Sequence, residues 1–329
     1  MSGRVIGAEI GGTKLQVALG DSEGNVLACR RGVAPGGGPL AILEWFAEEL
    51  PLLLEQERVS KASIDRIGVG FGGPVETATG TVLVSHQVEG WSGFKLGAWF
   101  EERFGIETRV FNDSNAAGWA EYCLGAGRGT RHFMYSNIGS GIGGALVIDG
   151  KLHDGQGLGA SEVGHTYVPD WLGKPGDARK LEQLCSGWAI ERRVRAGADP
   201  PPDTPLGKLC HGRAPEHTCS RAEITCAMLG EAAGLGDVRA REELERVAHA
   251  IGIALANAVT LFHPERIAMG GGVSLIGDVL LDPVRRWANH YVFGPFRDRF
   301  EIVQCALGES VVLVGAMLLA RGASAVRQS

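Results

Sequence analysis

The chain has 329 residues, of which 44% are hydrophobic, and its 38 Asp and Glu against 32 Lys and Arg give a formal net charge of −6 at pH 7. A length above the roughly 250–300 residues at which a single core stops growing predicts two domains. The acidic balance excludes the basic footprint of a nucleic-acid or anionic-membrane binder, and no apolar run reaches the roughly 20 residues of a membrane span. Seven scattered cysteines, with no signal-like segment before the first strand, lead us to expect a reducing cytoplasm.

In chain order, Val5–Glu9 and Leu15–Gly20 read as strands joined through Gly11-Gly12-Thr13-Lys14, and residues 21–25 turn into a third strand, Val26–Arg30. Leu43, Phe46, Leu50 and Leu53 predict a helix over Leu40–Glu57, bent by Pro51. A buried strand, Arg66–Phe71, enters Gly72-Gly73-Pro74-Val75, and Leu96, Trp99, Phe100 and Phe104 mark a helix over Phe94–Phe104. Strand Thr108–Phe111 ends at Asn112-Asp113-Ser114-Asn115, which opens a helix through Leu124. A second glycine hairpin follows over Met134–Ile148, where Ile142-Gly143-Gly144 repeats Ile10-Gly11-Gly12.

Proline and glycine crowd residues 197–216, predicting an exposed loop or insertion. The stripe Leu244, Val247, Ala248, Ile251, Leu255, Ala258, Val259 and Phe262 predicts a helix over Arg241–His263, stopped by Pro264. Strand Ile267–Met269 ends in Gly270-Gly271-Gly272, and a last strand over Phe300–Ala306 precedes a helix over Val311–Ala320. This pattern predicts two α/β lobes, residues 1–111 and 112–310, each opening on a hairpin, with the C-terminal segment (about 311–329) returning to the first.

Fifty glycines are about twice the usual share of about 7%, and they gather at turns, where backbone N–H groups meet a phosphate with no side chain in the way. Gly68-Val-Gly70-Phe-Gly-Gly73 and Gly139-Ser140-Gly141-Ile-Gly143-Gly144 both match G-x-G-x-x-G, but neither opens a helix, so a dinucleotide fold is rejected. The nucleoside-triphosphate pattern G-x-x-x-x-G-K-[ST] is absent as well. Thr13 and Lys14 add a hydroxyl and a cation to the first turn, and with the second turn and Gly270–Gly272 they predict a phosphate clamp. Asp113 reads either as a helix N-cap, worth about 1 kcal/mol, or as a general base at the end of a strand. Glu162-Val-Gly-His165 offers a carboxylate and an imidazole to sugar hydroxyls, though as surface residues the pair would be unremarkable. Cys210, His211, His217, Cys219 and Cys226 cluster without the spacing of a standard zinc finger.

These segments together resemble the ROK family of repressors, open reading frames and sugar kinases, within the actin–hexokinase–Hsp70 ATPase superfamily. The likeness rests on Glu9-Ile-Gly-Gly-Thr-Lys14, Gly73-Pro74-Val75, Asn112-Asp113-Ser-Asn-Ala116, Ile138–Gly144, Glu162-Val-Gly-His165 and Met269-Gly-Gly-Gly-Val273. It implies a two-lobed actin-like (ribonuclease H-like) α/β fold with a central cleft. It also implies ATP-dependent, Mg²⁺-requiring phosphorylation of a hexose, with glucose foremost and an N-acetylhexosamine or fructose as alternatives, and a homodimer. By the resemblance, Asp113 is the base. Gly73, Pro74, Asn112, Glu162, His165 and Glu182 meet the sugar. Glu9, Gly11, Gly12, Thr13, Lys14, Gly139, Ser140, Gly141 and Gly143 face the phosphates and Mg²⁺, and Gly270, Gly271 and Gly272 face the adenosine.

Three departures stand out. Glu9 and Ser140 occupy positions where the family mostly has Asp and Thr. Residues 169–180 carry no cysteine, whereas ROK kinases usually place a Cys-x-Cys-Gly-x-x-Gly-Cys motif there, with the histidine of Glu-x-Gly-His as fourth zinc ligand. No structural zinc is therefore expected, and the loop is expected to be rebuilt by packing, with Trp171 as its centre. These departures keep a catalytically silent sugar sensor as the non-enzymatic alternative and leave polyphosphate as an alternative donor. DNA binding is not expected.

Overall fold

The computed structural model describes residues 3–21, 23–84, 90–211 and 223–322. The strands are β1 (Arg4–Ile10), β2 (Lys14–Gly20), β3 (Val26–Val33), β4 (Ile64–Phe71), β5 (Val75–Glu76), β6 (Thr81–Val82), β7 (Thr108–Asn112), β8 (Phe133–Ile138), β9 (Ile142–Ile148), β10 (Lys151–Leu152), β11 (Tyr167–Pro169), β12 (Ala178–Lys180), β13 (Arg266–Gly270) and β14 (Glu301–Gln304). The helices are α1 (Pro39–Gln56), α2 (Leu96–Phe104), α3 (Asp113–Leu124), α4 (Leu181–Cys185), α5 (Gly187–Ala196), α6 (Pro205–His211), α7 (Cys226–Gly234), α8 (Val238–Phe262), α9 (Asp278–Tyr291) and α10 (Val311–Ala320).

Backbone contacts divide the chain into two compact units, one of residues 1–131, 145–161 and 306–329, the other of residues 132–144 and 162–305. The sequence boundary at Phe111 falls inside the first unit, because α3 packs against α10.

The first unit is built on a sheet of order β3-β2-β1-β4-β7. β1 and β2 form an antiparallel hairpin, whereas β4 and β7 run parallel to β1. Strand alternation sorts its side chains into two faces. Ile6, Ala8, Ile10, Leu15, Val17, Leu19, Ile67, Val69 and Phe71 share a core with Ile42, Phe46, Leu50 and Leu53 of α1 and Phe100 of α2. The other face carries Gly7, Gly20, Gly68 and Gly70, and α10 lies directly on it. A Cβ on Gly68 would come within 2.1 Å of the Ala316 carbonyl oxygen, and one on Gly315 within 1.7 Å of the Ala116 carbonyl oxygen. Several of the glycines thus serve helix-to-sheet and helix-to-helix approach. α1 runs unbroken across Pro51, whose ring points outward at an exposed position.

The second unit repeats the parallel run, with β8 beside β13 and β13 beside β14. Its long helix α8 buries a stripe from Leu244 to Val259 against α7 and α9. α8 has the length and mean hydropathy of a membrane span, yet these contacts make it a core helix.

Part of the segment expected as a loop over residues 197–216 is helix α6, with Leu206 and Cys210 buried. Pro205 opens that helix, where its missing N–H costs nothing. The buried Asp237 carboxylate accepts from the N–H of Leu206 at 3.0 Å and, at the other oxygen, from Ala240 at the start of α8. Residues 212–216 lie outside the described residues. So do His217 and Cys219 of the candidate Cys/His cluster, while Cys210 and Cys226 are buried thiols. Burial pushes the Cys226 thiol up to about 12, away from the thiolate a metal needs. Helix α9 occupies a stretch where the sequence reading placed no element.

Candidate functional site: two glycine turns and their carboxylates

In the first unit, the β1–β2 turn closes with the Gly11 N–H donating to the Lys14 carbonyl at 3.0 Å. Glu9, next to last in β1, lies on the glycine-rich face, 7% exposed, directly across the hairpin from Gln16. Gln16 donates to one carboxylate oxygen at 2.7 Å, and Lys14 Nζ approaches the other at 3.2 Å. The Glu309 carbonyl, just ahead of α10, accepts from Lys14 and Gln16. Burial raises the Glu9 carboxyl above its ordinary value, outweighing the attraction of Lys14. The longer Glu side chain is therefore held by defined partners. Thr13 is exposed beside a half-exposed Gly12.

Asp113 is the first residue of α3, and the helix is capped by its neighbour. The Asn112 carboxamide oxygen accepts from the Asn115 N–H at 3.0 Å, while its NH₂ donates to the Gly73 carbonyl at 3.1 Å. Asp113 is thus not the N-cap. One of its oxygens accepts from the Ser114 N–H at 2.7 Å. The other lies 3.5 Å from where a Gly72 Cβ would stand, a point also 3.4 Å from the Ile10 carbonyl and 3.7 Å from Gly11 Cα. The carboxylate and the first glycine turn therefore flank one position that no side chain fills. Gly73 and Pro74 follow directly, with the Pro74 carbonyl accepting from Leu83. Behind them, Asp154 bridges Thr77 and Asn115 at 3.0 and 3.1 Å, and the Asn115 carboxamide oxygen is buried with no hydrogen-bond partner.

In the second unit, the Gly139 N–H donates to the Gly141 carbonyl at 2.9 Å, and the Gly139 carbonyl accepts from Gly187 at 2.7 Å. Ser140 stands exposed at the tip, and Gly143 lies on β9. The Glu182 carboxylate, in the first turn of α4, accepts from the Ile142 N–H at 2.8 Å. It fills the space a Gly141 Cβ would need, at 2.7 Å. Gly164, in the middle of Glu162-Val-Gly-His165, would place a Cβ 2.2 Å from the Ile142 carbonyl oxygen. Gly164, between Glu162 and His165, and the Glu182 carboxylate therefore both meet Ile142. Gly271, at φ +83, lies against the Ile138 carbonyl oxygen, 2.4 Å from the position of its missing Cβ. A Gly270 Cβ would meet the Tyr135 hydroxyl at 2.8 Å, whereas Gly272 stands in open space. Val273 donates to the Ile138 carbonyl at 2.9 Å, which ties the Gly270–Gly272 turn to the strand leading into Gly139.

Residues 169–180 form the β11–β12 hairpin. The buried Asp170 pairs with Arg179 at 2.8 Å and accepts from the Leu172 N–H at 2.9 Å. Trp171 lies under the Arg193 guanidinium, 5.4 Å from the ring centroid. Without a thiol in this segment, only His165 remains of a Cys₃His set, so zinc does not fit. Among the described residues no three Asp, Glu, His or Cys side chains converge as a metal site.

Gln16, Asp154 and Lys180, whose Nζ meets His165 Nδ1, join these sites without having been singled out from the sequence, and Asn115 was read only as part of the motif that opens α3. Hairpin register alone could have found Gln16, because the turn at residues 11–13 sets residue 16 opposite residue 9. Asp154 is 39 and 77 residues from its two partners, too far for any local pattern.

The sequence profile of the ROK family matches residues 5–323. The chain is similar to a glucokinase of Streptomyces coelicolor, 33% identical over 322 residues that make up 97% of this chain and 98% of the relative. A glucokinase of Thermotoga maritima is 30% identical over 95% of this chain and 96% of its own. In three dimensions the chain is similar to a ROK family glucokinase of Streptomyces griseus, whose crystal structure holds glucose and AMPPNP, with a TM-score of 0.80, 31% identity, and coverage of 98% of this chain and 100% of the other. With a family match over residues 5–323, relatives a third identical over nearly the whole length and the same actin-like α/β frame, the chain belongs to the ROK family.

Proposed function

We propose that this protein transfers the γ-phosphoryl group of ATP to a hexose hydroxyl, with glucose as the leading substrate and Asp113 as general base. The observation that carries the reading is the Asp113 carboxylate standing with the first glycine turn around one open position over Gly72. A base there takes the sugar proton as the oxygen attacks, and phosphoryl transfer asks little else of the protein beyond positioning and charge stabilisation. The similarity to glucokinases, one of them holding glucose and an ATP analogue, supports both substrates.

In this reading Asn112, Gly73, Pro74, Glu162, His165 and Glu182 bind the sugar. Gly11, Gly12, Thr13, Lys14, Gly139, Ser140, Gly141 and Gly143 hold the phosphates, and Gly270–Gly272 border the adenosine. Mg²⁺ takes oxygen donors and keeps phosphates among its ligands. The Glu9 carboxylate and the Thr13 hydroxyl suit it, and the ion would neutralise charge on the transferring group. The two-lobe division, the cytoplasmic setting and the homodimer belong to the same proposal. Coupled ADP release from glucose, fructose, mannose, N-acetylglucosamine and N-acetylmannosamine tests it, with polyphosphate as a second donor. Turnover on none of them sinks the kinase and favours a sugar sensor.

A further inference from the structure

We propose that Lys180 is a positioning residue for His165, taking the place on its imidazole that the family resemblance assigns to a metal. The inference rests on the reading of His165 as a sugar ligand. Lys180 Nζ lies 3.1 Å from His165 Nδ1. An ammonium is donor-only, so Nδ1 accepts, and a neutral imidazole that accepts at Nδ1 carries its proton on Nε2. On the proposed function, Nε2–H is then the donor this imidazole offers a sugar hydroxyl, while the Glu162 carboxylate can only accept. A cation on the inner nitrogen would set the same tautomer, and here the chain supplies one of its own.

The backbone makes this contact reproducible. Tyr167 pairs with Lys180 across the β11–β12 hairpin, and the Leu181 N–H donates to the Thr166 carbonyl at 2.9 Å. Thr166 and Tyr167 are thereby fastened to Lys180 and Leu181, with His165 one residue away. The far end of the hairpin is closed by polar groups, since Asp170 pairs with Arg179 and the Asp170 N–H donates to the Asp177 carbonyl at 2.9 Å. Lys180 also directly precedes α4, and two residues on Glu182 accepts from Ile142. One three-residue segment thus reaches His165 with its first side chain and the second glycine turn with its third.

The test combines long-range ¹H–¹⁵N spectra of histidine-labelled full-length protein with glucose kinetics for wild type, Lys180→Met, Lys180→Arg and His165→Ala, the last also assigning the resonance. Wild type is expected to show the Nε2–H tautomer of His165 without nucleotide or added metal. Lys180→Met is expected to mix the tautomers and to raise the KM for glucose about tenfold, the scale of one lost charge-assisted hydrogen bond, with kcat within about twofold. Lys180→Arg keeps a donor and is expected to preserve the tautomer. An Nδ1–H tautomer in wild type overturns the proposal even if Lys180→Met does not fold. So does a Lys180→Met protein with unchanged tautomer and KM while His165→Ala weakens glucose, an outcome that leaves the sugar-ligand reading standing. A His165→Ala protein with unchanged KM overturns both.

Discussion

Asp113 and Glu9 are both carboxylates at the end of a strand, and their surroundings give them different work. Asp113 is relieved of helix capping by Asn112, so Asp113→Asn keeps the cap and the side-chain volume while removing the base. We expect kcat to fall by about 10²–10⁴-fold, with glucose binding still measurable by calorimetry. A variant that turns over near the wild-type rate would return Asp113 to a structural role. Glu9 is held above its ordinary value by burial. A carboxyl raised in the folded state favours folding below its unfolded pKa, and that contribution is lost as pH rises through the folded value. Urea midpoints measured from pH 4 upward should therefore show a stability decline in wild type that Glu9→Gln lacks. Parallel curves for the two proteins would contradict the raised value. The motif residues at these sites were legible because their spacing is local. Gln16 required the hairpin register to be followed across to Glu9, and Lys180 was not legible, because its contact with His165 depends on a β11–β12 pairing formed by three-residue strands.

Among the elements, α10 shows how a composition becomes a packing rule. Its approach to the sheet is possible only where β1, β2 and β4 present glycine, so Gly68→Ala forces a methyl group onto a backbone carbonyl that cannot swing aside. We expect about 1–3 kcal/mol of destabilisation or more, read as a lowered denaturation midpoint. Gly36→Ala, with nothing within 4 Å of its Cβ position, should stay within about 0.5 kcal/mol of wild type. Asp237 gives a second test, since Asp237→Ala removes the cap of α8 and strands the buried Leu206 N–H, together costing about 2–3 kcal/mol. The longer strands and helices α1, α2, α3, α8 and α10 were legible from the sequence, since period-2 and helical stripes survive in one dimension, whereas the two- and three-residue strands were not. α6 was hidden by the prolines and glycines around it, and its support comes from Asp237, a residue 31 positions away. α9 carries Pro283 in its interior, a residue that argues against helix when only the sequence is weighed.

For the molecule as a whole, the two units share a plan. Each has three parallel strands, β1-β4-β7 or β8-β13-β14, and in each the first strand ends in a glycine turn closed by its own backbone hydrogen bond. Each turn also has a carboxylate beside it, Asp113 in one unit and Glu182 in the other. What each turn binds can be measured without turnover. Amide hydrogen exchange reports local opening segment by segment. On the proposed function, in which both turns bind ATP phosphates, the non-hydrolysable analogue AMPPNP with Mg²⁺ should slow exchange at residues 11–14 and at 139–142 over the same range of nucleotide concentration. Glucose alone should instead protect residues 112–115 and 162–165. Whatever factor glucose changes the AMPPNP affinity by, AMPPNP should change the glucose affinity by the same factor, since coupling between two ligands is reciprocal. Protection of only one turn at saturating nucleotide would mean that the second is a structural bend fixed by Glu182. Protection of both with separate midpoints would mean two independent sites, and a single clamp would be ruled out.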